Sequence, residues 1–289
     1  YEYYDYTKGY YGVNEEEQNM GPIYVTKGET YYVIMTNWQS DETVEVGVRA
    51  KVYTVGSRTL SQGTDKWTIV SGINKNDEVA TTWFKVKPDR TGVMTVTLKE
   101  YGFSSAYGNV TLYNSDKEAL SNKVSYVSGS SGERVYFGVK KGVTYYLKVT
   151  DCWGSYSENY AYGIKYGMTK RTDRALGSKS DAKKLTRKAD ATNTLFVASK
   201  SKSTDWYKIK VDSKRETQMT VDASGIKSGS LYITTYKGSK KMGELTVDAN
   251  GTLNWKIKTG DGKAAAGTYY IKVVKGTKAS GKYSIRYVK

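Results

Sequence analysis

Acid–base chemistry at neutral pH usually rests on histidine, and none of the 289 residues is one. Ser-His-Asp and Cys-His nucleophile systems are thereby excluded, as are most zinc and copper sites. The single cysteine, Cys152, stands between Asp151 and Trp153. With no partner cysteine it excludes an intrachain disulfide and reads as a small packed residue rather than a nucleophile. Carboxylates that could hydrolyse a glycoside fall in turns, at Asp41-Glu42 and Asp77-Glu78, or in the run Glu15-Glu16-Glu17, and none is marked as a cleft pair. Gly-rich strings lack the strand-to-helix setting of a phosphate loop and read as turns. A Lys-to-Asn or Lys-to-Asp isopeptide bond stays open, because the buried triad it needs leaves no linear signature. No catalytic residue, cofactor or metal is expected.

Binding chemistry is better supplied. Trp38 follows one tyrosine-rich strand and Trp153 follows its counterpart, so both should sit in the same connecting loop of successive modules, with Tyr156 and Tyr160 extending the second surface. A loop-tip ring can stack on a sugar or fill a partner's pocket, or it can pack between modules and set their angle. Trp83 and Trp206 occupy matching strand positions and are expected in the core, as are Trp67 and Trp255.

Charge points to a second kind of ligand. Residues 1–54 carry 4 basic and 9 acidic residues, residues 55–169 carry 14 and 10, and residues 170–289 carry 27 and 10, within a net charge of +16. A terminal third this basic attracts polyanions, with Lys183, Lys184, Arg187, Lys188, Lys240 and Lys241 as its candidate contacts. A solvated lysine face kept for solubility is the alternative. Specific nucleic-acid binding is not expected, since no compact basic run is interleaved with stacking aromatics.

These residues need a scaffold, and the sequence patterning supplies one. Twenty-eight tyrosines, 29 glycines and two prolines favour short strands and tight turns. The phrase Gly28-Glu29-Thr30-Tyr31-Tyr32-Val33 recurs as Gly142-Val143-Thr144-Tyr145-Tyr146-Leu147 and Gly267-Thr268-Tyr269-Tyr270-Ile271. Repeated phrases at this spacing mark repeated domains. Each precedes a second alternating strand, at 44–52, 160–166 and 283–288, which predicts a hairpin. Thr82-Trp83-Phe84-Lys85-Val86-Lys87 matches Asp205-Trp206-Tyr207-Lys208-Ile209-Lys210, and alternating segments at 93–98, 110–113, 219–221 and 231–236 complete the set. Strict alternation predicts sheets with one buried face, as in a sandwich. Tyr113-Asn114-Ser115-Asp116-Lys117 has a counterpart in Tyr4-Asp5-Tyr6-Thr7-Lys8, so residue 1 is expected to fall inside a module, its Trp-bearing early strands missing. Polar lead-ins at 54–76 and 168–192 share Gly56-Ser57-Arg58 and Gly177-Ser178-Lys179.

The expected fold is therefore all-β: tandem β-sandwich modules at 1–54 (incomplete), 55–169 and 170–289. In order, the Asp-Trp-Tyr strand, the Gly-Thr-Tyr-Tyr-Ile-Lys-Val strand and the closing Gly-Lys-Tyr-Ser-Ile strand resemble the bacterial pre-peptidase C-terminal (PPC) domain, most closely over 181–289, well over 60–167 and in part over 1–54. The resemblance implies jelly-roll-like sandwiches beside secreted proteases or in surface proteins, with accessory roles in substrate holding, secretion or adhesion. The calcium-binding lead-in of collagenase-type relatives is not carried over, because its counterpart at 178–184 has one carboxylate, Asp181, among lysines. No apolar run is long enough to span a membrane, and no signal peptide is visible.

Three readings follow. One is a non-catalytic adhesive or structural array on a bacterial, Gram-positive surface, held on cell-wall polymer, glycan or extracellular protein. Another is an accessory binding region of a longer secreted hydrolase. The third is a fibre subunit in which the acidic first module of one copy meets the basic third module of the next, head to tail.

Overall fold

The structure, a computed structural model, describes residues 25–33, 48, 50, 52, 56, 58–63, 68–71, 81–101, 107–125, 134–153, 161–173 and 177–289. Sixteen strands and no helix occur among them: β1 Thr68–Ser71, β2 Thr82–Val86, β3 Gly92–Tyr101, β4 Tyr107–Tyr113, β5 Val135–Val139, β6 Tyr145–Trp153, β7 Ala161–Lys170, β8 Lys183–Lys184, β9 Thr192–Phe196, β10 Thr204–Val211, β11 Gln218–Ile226, β12 Ser230–Lys237, β13 Lys240–Asp248, β14 Thr252–Lys256, β15 Gly267–Lys275 and β16 Gly281–Tyr287.

They form two sandwiches of one topology. In the first, a β2-β6-β4 sheet faces a β1-β7-β3-β5 sheet; in the second, β8-β10-β15-β12-β13 faces β9-β16-β11-β14. The named strands pair antiparallel except for β8 beside β10, and isolated parallel bridges join Thr59 to Lys85 and Gln62 to Tyr166. Alternation explains the layers: on β10, Asp205, Tyr207, Ile209 and Val211 point inward, and the residues between them do not. Phe84, Val96, Phe137, Leu147 and Ile164 anchor one core, and Tyr207, Ile233, Tyr269, Ile271 and Tyr283 anchor the other. Each side chain buried this way contributes roughly 1.5–3 kcal/mol.

Two expectations change here. The tyrosine-rich strand and the alternating strand after it do not form a hairpin: β6 and β7, like β15 and β16, lie in opposite sheets, so the chain crosses between layers. Both strands alternate with one buried face, and facing each other across the core buries both sets at once. The lead-ins also align differently from their shared Gly-Ser phrase. Leu60 donates its N–H to the Lys85 carbonyl and Leu185 to that of Lys208, so Leu60 and Leu185 are the equivalent residues.

The sandwiches share an interface. The Ala198 N–H donates to Gly138 O at 2.8 Å, and Ala198 packs into the first sandwich's core. Asn122 N–H donates to Ser228 Oγ at 3.3 Å, Lys278 Nζ donates to Ala119 O, and Lys200 pairs with Glu118 at 3.3 Å. Lys227 Nζ lies 5.4 Å from the centre of the Tyr136 ring. Polar links and packing together hold the two sandwiches as one body.

Of residues 1–54 only 25–33, 48, 50 and 52 are described, and 25–33 build the turn seen before β6. Thr26 N–H donates to the Tyr31 hydroxyl as Lys140 N–H does to Tyr145, and Gly28 and Gly142 both take positive φ, 93° and 74°. Tyr145 is buried, whereas Tyr31 is 48% exposed and Tyr32 85%. Tyr4-Asp5-Tyr6-Thr7-Lys8 and Trp38 lie outside the described residues.

Candidate functional site: the outer aromatic faces

Because Phe84 and Tyr207 take the inward positions on their strands, their neighbours Trp83 and Trp206 must point outward, and both are half-buried rather than core. This corrects the expectation that they pack inside. A strand has two faces, and Thr82 and Asp205 continue the inward one. The same phase puts Tyr146 and Tyr270, the second tyrosine of each pair, on the outer face.

Cross-strand register then gathers the rings. In the first sandwich Trp83 lies opposite Lys148, and Tyr146 opposite both Lys85 and Tyr113. In the second, Trp206 lies opposite Lys272, and Tyr270 opposite both Lys208 and Tyr236. Trp83 meets Tyr113 edge-on at 4.7 Å and Tyr146 at 6.5 Å, while Trp206 meets Tyr236 at 5.5 Å. Lysines lie over the rings: Lys117 and Lys148 over Trp83 at 5.3 and 5.7 Å, and Lys272 over Trp206 at 5.7 Å. Lys179 reaches Trp206, Tyr236 and Tyr270 at 5.9, 5.3 and 4.7 Å. One tryptophan, two tyrosines and a cross-strand lysine thus recur at equivalent positions on two sheets. Such a face can stack on flat rings while its ammonium groups meet anions.

The buried polar groups have a different character. Tyr283 donates to Asp205 Oδ2 at 2.5 Å, so the Tyr207 hydroxyl, 2.7 Å away, donates to Tyr283. Burial pushes the Asp205 carboxyl up to about 7 and raises both phenols. Lys275 is fully buried and donates to Ser199 O at 3.0 Å and Gly276 O at 3.3 Å, with burial pulling its ammonium down to about 8. Its recorded partners are backbone carbonyls, whereas the crosslink considered above needs a side-chain carboxyl or amide. Among the described residues no group of three or more acidic or cysteine side chains could hold a metal ion.

Of the residues singled out from sequence, Trp38, Trp67, Tyr156 and Tyr160 lie outside the described residues, as does the side chain of Trp153, whose backbone ends β6. The basic candidates do not form one patch. Lys183 and Lys184 are on β8 and Lys240 and Lys241 on β13, the two opposite edges of a five-stranded sheet. Four strand spacings separate those edges by about 19 Å. Arg187 and Lys188 form a turn after β8, and Lys241 is paired with Glu244 at 2.7 Å.

No protein-family model matches the chain, and no curated protein does. Solved structures show distant likenesses. The CUB1-EGF-CUB2 region of human MASP-1/3 is 9% identical with a TM-score of 0.22, covering 77% of this chain and 99% of that one. Tripeptidyl peptidase 2 is 10% identical with a TM-score of 0.29, covering 80% and 24%. The M60 catalytic domain with two CBM51 domains from Clostridium perfringens ZmpB is 8% identical with a TM-score of 0.22, covering 77% and 34%. Likeness at this level assigns neither family nor ligand.

Proposed function

We propose that this chain is a non-catalytic extracellular array of PPC-like sandwiches that holds an anionic, ring-bearing polymer of a bacterial wall or matrix on its outer aromatic faces. The observation that carries this reading is the recurrence of Trp83, Tyr113, Tyr146 and Lys148 as Trp206, Tyr236, Tyr270 and Lys272. Half-buried aromatics form a repeated cluster here, with lysine ammonium groups over the tryptophan of each copy, and sugar stacking combined with ion pairing needs that pairing of groups. The extracellular placement rests on the PPC resemblance. The absence of histidine and the enclosure of Asp205 and Lys275 favour binding over catalysis.

Retention on immobilised polygalacturonate tests it. Replacing Trp83 and Trp206 together by alanine leaves net charge unchanged and should weaken retention about tenfold or more, as loss of two stacking rings does. Retention should also fall steadily as salt is raised. Equal retention of the double variant and the native chain would sink the stacking role.

A further inference from the structure

The two aromatic faces differ in one respect. On the first sandwich, among the described residues, no cation lies over Tyr113 or Tyr146. On the second, a single ammonium, Lys179 Nζ, lies within 6 Å of three ring centres and donates to Gly238 O at 2.7 Å. Lys179 comes from the turn before β8, which Ser178 and Asp181 brace through a 2.7 Å hydrogen bond, and it is half-buried. Three rings converging on one ammonium form a cation cage whose present occupant belongs to the chain itself.

A primary ammonium suits such a cage poorly, because it gives up strong hydration to enter; tethering gives it a high effective concentration that a free ligand lacks. A trimethylammonium carries the same charge with weaker hydration and fills the cage better. Lys208 and Lys272 flank the rings across the β10–β15 register and would repel a bare cation. The ligand that satisfies both features carries an anion beside its quaternary nitrogen. We propose that Trp206, Tyr236 and Tyr270 bind the trimethylammonium of a phosphocholine-type group in place of Lys179, with Lys208 and Lys272 holding its phosphate.

This inference concerns the second sandwich alone and does not depend on polymer stacking, so polygalacturonate retention and phosphocholine binding can fail separately. The test titrates the full chain with free phosphocholine, choline and inorganic phosphate at matched ionic strength, following the N-methyl proton resonance. Ring currents should move that singlet upfield, and phosphocholine should bind about tenfold tighter than choline, the gain from an added ion pair at a partly desolvated site. Lys179→Ala should raise phosphocholine affinity by about tenfold by removing the tethered competitor. Trp206→Leu should abolish the upfield shift. Sedimentation with phosphatidylcholine vesicles, against phosphatidylglycerol vesicles, would place the group on a lipid surface; binding of soluble phosphocholine alone would place it on a polymer. Choline binding as tightly as phosphocholine, or no upfield shift even in Lys179→Ala, would overturn the proposal, and the latter reading holds whether or not Trp206→Leu folds.

Discussion

Replacing Gly138 by valine is expected to uncouple the two sandwiches. A Cβ at this position would stand 2.0 Å from Phe196 O and 2.8 Å from Gly281 N, both backbone atoms that no rotamer change can move away. To admit it, the β9–β16 edge must retreat, and the hydrogen bond from Ala198 N–H to Gly138 O must break. Ala198 would leave the first sandwich's core at the same time, and the links Asn122 to Ser228 and Lys278 to Ala119 depend on the same approach. The loss should reach about 3 kcal/mol or more, at or above the upper end of overpacking costs, because the colliding atoms are main chain. Calorimetry should show the native chain's sandwiches unfolding in one coupled transition and the variant's in two. A single transition at an unchanged temperature would show that the junction contributes nothing. Gly138→Ala should act in the same direction, since the Cβ alone makes the collision.

The sheet pattern and the site were legible to different depths. Phrases around Tyr145-Tyr146 and Tyr269-Tyr270 identified equivalent strands correctly, because a buried face repeats every second residue whatever lies around it. The same alternation held the information on Trp83 and Trp206, each one residue out of phase with Phe84 or Tyr207. Matching strand positions show that the two tryptophans are equivalent, but not which face of the strand they take. Which strands share a sheet could not be read, since β6 and β7 alternate identically whether they pair or face one another across a core. Lys179 lies far along the chain from Tyr236 and Tyr270, and only the folded register brings its ammonium to their rings. The contact at Gly138 was equally hidden. Nothing in Phe137-Gly138-Val139 distinguishes a glycine that admits a neighbouring module from one that only loosens a strand.

Stability should fall as pH rises from about 4 to about 7, and Asp205 is the cause. Its carboxyl is 2% exposed, and burial lifts it from 3.8 to about 7, against the opposing effect of the Tyr283 hydrogen bond and with a further push from the charge of Asp173. A raised acid means that the folded chain keeps a proton which the unfolded chain releases. The contribution is therefore complete below pH 4, declines through the interval between the two values and is exhausted above 7. Three pH units of such linkage amount to about 4 kcal/mol. Lys275 acts in a separate window with the opposite slope: its depressed ammonium makes stability rise between about 8 and 10.5. Asp205→Asn keeps an acceptor for Tyr283 and removes the titration, while its buried amide protons lack the partners that water gave them, at about 1–3 kcal/mol. The variant should be less stable than the native chain at pH 4 and at least as stable at pH 7. Denaturant unfolding at the two pH values checks this through the crossing of the curves; parallel curves would mean that Asp205 ionises in the folded chain as it does in water. The Tyr207–Tyr283–Asp205 chain reaches from β10 to β16 across the two sheets of one sandwich. Ionised Asp205 accepts the Tyr283 hydrogen bond more strongly, so this hydrogen-bonded chain persists above pH 7 and only partly offsets the cost of burying the charge; that cost arises within the second sandwich, because Thr82 takes the equivalent strand position in the first.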